Sequence, residues 1–193
     1  MKRSTTILAS AALVAASLAV APAAFADNSV TQTVTGGSRT ASAAAVTLPG
    51  LATAHTQQVN TGSMTVTADD STGTGAGWAV TEQVSALVYS GSAGGTDIPA
   101  SNLSVSGVGA VAAPAGQAID GTGTDALPTG PQSANITSGV SGTLDAPVTV
   151  LVAGAGFGQG TYTVPVNLSL AVPAESRVGT YTGTLTTTIS AAP

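Results

Sequence analysis

The chain has 193 residues, with four basic and nine acidic residues, one histidine and no cysteine, for a net charge of −5. That balance excludes nucleic-acid binding, which needs clustered Lys and Arg to displace counterions from phosphate. The lack of cysteine excludes disulfide staples and thiolate metal sites. Charged residues make up 7 % and aromatic residues 3 % of the chain, so the fold must rest on aliphatic burial and strand pairing.

The amino-terminal residues 1–26 read as a secretory signal. Lys2 and Arg3 open it, an apolar run from Ile7 to Val20 follows, and Ala24-Phe25-Ala26 supplies a small-x-small cleavage pattern. The run is too short for a membrane span, and no second long apolar segment or sortase-type signal follows. The expected mature chain, 27–193, is therefore exported and not inserted in a membrane. It keeps only Arg39 and Arg177 as cations and carries all the acidic residues.

From residue 27 on, Thr, Val, Ser, Gly and Ala dominate, and turn residues recur at short intervals. This pattern predicts an all-β fold, an antiparallel β-sandwich with Greek-key-like connections, in one domain over 27–193. Strands are expected at 29–35, 44–48, 52–59, 64–68, 78–89, 102–108 and 148–153. Residues 109–146, rich in Gly, Pro and Ala with little periodicity, predict a long loop or insertion. The clearest strand is 161–173, where Tyr162, Val164, Val166, Leu168, Leu170 and Val172 share one face. Pro165, on the opposite face, lacks an N–H and points to a sheet edge or a bulge. Residues 180–190 continue the alternation through Tyr181, Leu185 and Ile189, and the two runs predict a hairpin.

The inventory for chemistry is thin. His55, the single histidine, reads as a strand-surface residue, because a triad would need it beside an activated serine and a carboxylate and no Gly-x-Ser-x-Gly elbow is present. Asp69-Asp70, Asp120 and Asp125 could offer oxygens to calcium, but they fit turn chemistry better. Glu82 and Glu175 are the only glutamates, and nothing in the sequence brings them together as a glycosidase pair would require. The glycine-rich stretch 154–160 precedes a strand, not a helix, so it reads as a β-connection and not a dinucleotide loop. No catalytic residue, metal or cofactor is expected.

Trp78, the one tryptophan, follows Gly73, Gly75 and Gly77 and opens an alternating run. Trp78, Val80, Val84, Ala86 and Val88 share strand parity, which favours a core ring over an exposed ring that stacks on a sugar.

Three stretches resemble the WxL-domain surface proteins of Gram-positive bacteria. The first runs from Met64 through Asp69-Asp70 and the glycines to Trp78-Ala79-Val80. The second is the glycine-rich step at 154–161. The third is 168–193, with Val172-Pro173-Ala174 and then Gly179-Thr-Tyr-Thr-Gly-Thr-Leu-Thr186. Valine replaces the leucine of the first Trp-x-Leu, and Thr187-Thr188-Ile189 stands where the family carries a second. The resemblance implies Trp78, Val80, Thr187 and Ile189 as the motif, and so candidate binding, positions. It also implies a secreted, non-enzymatic protein held non-covalently on cell-wall peptidoglycan or on a membrane-anchored surface protein. A self-assembling or adhesive subunit is the alternative, supported by Thr/Val-rich strands whose edges no lysine protects; a secreted hydrolase with an unrecognised site is a third.

Overall fold

The computed structural model describes residues 29–191; the expected leader, 1–26, lies outside the described residues. The fold is all-β, with every strand pairing antiparallel. Its strands are β1 Arg39–Ala43, β2 Gln58–Asp70, β3 Trp78–Val84, β4 Val88–Ser90, β5 Leu103–Val108 and β6 Ala112–Gly116. They continue as β7 Gln132–Ser133, β8 Gly142–Thr143, β9 Val148–Ala153, β10 Gly160–Val172, β11 Thr180–Thr182 and β12 Leu185–Ala191.

Two sheets form the sandwich. One has the order β1-β2-β10-β5-β8, with β6 also against β10; the other has the order β12-β3-β9-β7. A small ribbon, β11-β4, stands apart. The inner faces follow directly from side-chain parity. Met64, Val66 and Ala68 of β2 and Tyr162, Val164, Val166, Leu168 and Leu170 of β10 face Trp78, Val80, Val84, Val150, Leu151 and Ala153 of the second sheet in one buried cluster.

Several sequence expectations need correction. Runs 161–173 and 180–190 do not form a hairpin. β10 pairs with β2, β5 and β6, β11 pairs with β4, and β12 pairs with β3 in the other sheet. Both β10 and β12 carry one inward aliphatic face, and each buries it from its own side of the sandwich, which period-two alternation cannot distinguish from a hairpin.

Pro165 is not on an edge, because β10 is central in its sheet. It sits where the neighbour changes from β5, which ends opposite Val166, to β6, which begins opposite Thr163. The Pro165 carbonyl still accepts the Gly109 N–H at 2.8 Å, so the side lacking a donor faces a break in the ladder.

Residues 29–35 form no strand; Val30 and Val34 are exposed, and a Thr/Val run pairs only where one face is covered. The first strand is Arg39–Ala43 and not 44–48, and of 52–59 only Gln58 and Val59 join β2. The strand expected over 78–89 breaks after Val84. Ala86 and Val88 turn outward, and Leu87 becomes the buried residue, in a bridge to Ile98. Within 109–146 lie β6, β7 and β8, and Val140 and Leu144 are buried there, so the stretch is a structured connection and not one long loop.

Candidate functional site

The motif residues meet on one sheet. β3 and β12 are neighbours, with Val80 opposite Ile189 and Glu82 opposite Thr187; Trp78 lies opposite Ala191. Trp78 and Val80 are fully buried, and Thr187 and Ile189 are half-buried against the same core. The four positions read from the sequence are thus brought together, on the inner face.

The indole is held from three directions. Its Nε1 donates to the Gly158 carbonyl at 2.9 Å, so its one polar atom is satisfied inside the core. Its ring lies 6.1 Å from that of Tyr162 at 43°. The single Tyr162 hydroxyl proton is shared between the Gln117 and Gln159 carbonyls, at 2.7 and 3.1 Å, and burial pushes the Tyr162 pKa up. Gly158 has φ +77°, and a Cβ there would stand 2.5 Å from Ala153 Cβ and 2.7 Å from Trp78 Nε1. Glycine is required at this position both for its backbone and for its closeness to the ring. The glycine-rich stretch is therefore the β9–β10 connection, and its function is to cap Trp78.

Parity analysis passed over Glu82, although it shares the face of Trp78, Val80 and Val84. Its residue is 0 % exposed. Thr187 Oγ1 donates to Glu82 Oε2 at 2.9 Å, and Oε1 has no hydrogen-bond partner among the described residues. Burial raises its pKa to about 7, and the Thr187 hydrogen bond only partly offsets this. Thr187 is thus the one hydrogen-bond partner of this buried carboxyl group among the described residues.

The other acids serve turns and pairing. Asp70 accepts from Arg39 Nη2 at 2.8 Å and from Thr72 N and Oγ1 at 3.0 and 2.6 Å. Burial would raise its pKa, but the Thr72 and Arg39 hydrogen bonds prevail and lower it. Asp69 accepts from Thr161 and Ser71 hydroxyls. Asp120 is lowered by the Thr122 hydroxyl and amide, and Asp125 by Thr137 and the Ile136 amide. Among the described residues no three His, Asp or Glu side chains gather as metal ligands. His55 is on a bend, not a strand, and its Nδ1 lies 2.6 Å from Glu175 Oε1 in an exposed pair. Glu82 is inside the sandwich and Glu175 is on this outer loop, so the two glutamates serve separate places.

At the far end of β3 and β10 from Trp78, the sandwich opens into a cleft of about 870 Å³. Its floor is Val84, Leu103, Leu168 and Leu170, and Leu185 and Tyr181 line one side. Residues 46–54, without strand or helix, form another wall. They are tied down by Asn60 Nδ2 donating to the Pro49 carbonyl at 2.6 Å and by the Glu175 N–H donating to the Ala54 carbonyl at 3.0 Å. The sequence predicts strands at 44–48 and 52–59 here, where the structure has an irregular segment instead, so the cleft is not visible in the sequence. No protein-family model, curated protein or solved structure matches the chain.

Proposed function

We propose that the mature chain is an exported, non-enzymatic recognition module that attaches non-covalently to cell-wall peptidoglycan or to a surface partner protein. The reading rests on the three stretches that resemble the WxL family. The observation that carries it is the adjacency of β3 and β12, with Val80 opposite Ile189 and Trp78 capped by Gly158. Stretches far apart in sequence thereby contribute to one scaffold, as parts of a single motif would. Their burial leaves recognition to an outer surface rich in Thr, Ser and Gly and poor in charge. Such a surface engages a neutral glycan or a protein edge through hydrogen bonds and apolar contacts. Co-sedimentation of residues 27–193 with isolated peptidoglycan tests the proposal. Saturable pelleting is expected, and a chain that stays in the supernatant and captures no surface protein contradicts it.

One observation favours self-assembly or strand addition as a second reading. β12 ends its sheet and, among the described residues, pairs only with β3. Its sequence, Leu-Thr-Thr-Thr-Ile-Ser-Ala, has no charge and no proline to blunt the edge. An extended segment of a partner or of a second copy could pair there. Concentration-dependent association that Thr188→Lys abolishes would favour this route.

A further inference from the structure

The cleft at the open end of the sandwich carries a separate proposal. We propose that it binds a free single-chain amphipathic carboxylate, with its aliphatic tail on the apolar floor and its head group at Arg177.

Three features support this occupant. First, the floor is aliphatic, with Val84, Leu87, Ile98, Leu103, Leu168 and Leu170, the walls add Thr and Asn side chains, and the volume of about 870 Å³ lies within the range of small-molecule sites. Water against such a lining is replaced favourably by an apolar chain. Second, the rim is also apolar: Leu51 is 44 % and Val178 73 % exposed, and both line the opening. Third, the one charged residue in the lining is Arg177, and the neighbouring Glu175 carboxylate is engaged by His55 at 2.6 Å. Two arginines are the cations among the described residues apart from His55. Arg39 is consumed by Asp70 at 2.8 Å. Arg177 lines the cleft and forms no ion pair with a described carboxylate, and no Asp or Glu is in the lining. A guanidinium beside an apolar cavity suits a carboxylate with a hydrocarbon tail, because it can bind both carboxylate oxygens at once.

The wall at 46–54 makes the site a slot instead of a flat patch. Leu48 sits directly over Gly62, where a Cβ would lie 2.5 Å from Leu48 Cδ2. That close approach, with the Asn60 and Glu175 hydrogen bonds, holds the segment across one side of the cleft while the Val178 side stays open. The proposal does not depend on wall attachment: failure to pellet with peptidoglycan leaves it standing, and failure to bind the carboxylate leaves the wall reading standing.

The test is fluorescence titration of residues 27–193 with dansyl-labelled undecanoic acid, followed by displacement with hexadecanoic acid and with hexadecanol. Saturable binding is expected, with the acid displacing the probe at least about tenfold better than the alcohol. Arg177→Gln should remove that preference, lowering affinity for the acid by about tenfold while leaving the alcohol unchanged. Leu51→Trp, at an exposed position of the irregular segment that lines the cleft, should fill the slot and abolish binding of both without lowering the melting temperature. Non-saturable binding, or binding insensitive to both substitutions, would overturn the site. Equal competition by acid and alcohol would overturn the assigned role of Arg177. Flotation with phosphatidylglycerol vesicles without capture of the free acid would give the cleft to a membrane surface and overturn the assigned ligand.

Discussion

β3 and β10 each run from a closed end to an open end of the sandwich, and the two ends are built differently. At the closed end Trp78, Tyr162 and the Gly158 turn interlock, and every polar atom of the two rings finds a carbonyl. At the open end β3 reaches Val84 and β10 runs through Leu168 and Leu170 to Val172, with no ring buried between them and an irregular segment alongside. The comparison teaches where a protein poor in aromatics spends its few rings. One indole and one phenol close a core that aliphatics alone leave open, and the end without a ring inside it becomes the cleft. Tyr89 and Tyr181, 5.3 Å apart and tilted at 55°, pack on the β4-β11 ribbon, with Tyr181 on the cleft wall.

The largest way to break this contrast is at the ring. Trp78→Ala should lower stability by about 3–5 kcal/mol, read as the midpoint of chemical denaturation, because it leaves a cavity and an unpaired Gly158 carbonyl. Gly158→Ala should cost about 2–4 kcal/mol by the same measurement, since a Cβ meets Ala153 and the indole and φ is positive. Equal substitutions at the open end, such as Val178→Ala, should change stability by less than about 0.5 kcal/mol.

Glu82 sharpens the contrast by giving the closed sheet a pH dependence. The unfolded chain ionises this group from about pH 4.5, while the folded chain holds the proton to about pH 7. Stability from Glu82 is complete below the lower value and is lost as pH rises through the upper one, by roughly 2–3 kcal/mol. Asp70, whose pKa is lowered from 3.8, acts in the opposite sense: its contribution is present above that value and is lost as pH falls. Thermal melts from pH 5 to pH 8 should therefore fall for the native chain and flatten for Glu82→Gln. Thr187→Val, which removes the one hydrogen bond to the carboxyl, should cost about 1–2 kcal/mol. Thr187→Trp should be poorly tolerated for the same reason, and a stable, cooperatively folding Thr187→Trp would show that the sheet can do without the Glu82 contact.

How much of this was legible in the sequence follows from what each signal reports. Side-chain parity reports which way a residue faces, so the inner faces of β3, β9 and β10 and the burial of Trp78 could be read directly. Parity does not report which strand lies alongside, so the pairing of β12 with β3 was read as a hairpin with β10. Glu82 shares the parity of Trp78 and Val80, but a glutamate inside a core is rare enough that parity alone does not mark it as buried. The break at Ser85–Ala86 and the irregular wall at 46–54 fall where the sequence predicts strands, at 78–89, 44–48 and 52–59. They depend on tertiary contacts such as Leu87 with Ile98 and Asn60 with Pro49, so the cleft they frame could only be seen in three dimensions.

The central claim is that Trp78 builds the core and does not touch a ligand. Because Trp78 is the one tryptophan in the chain, its fluorescence reports on that claim without labelling. The account predicts emission blue-shifted from that of free tryptophan, resistant to acrylamide, and unchanged when peptidoglycan is added in excess. Emission at the solvent-exposed position that acrylamide quenches freely, with quenching relieved by peptidoglycan, would contradict it.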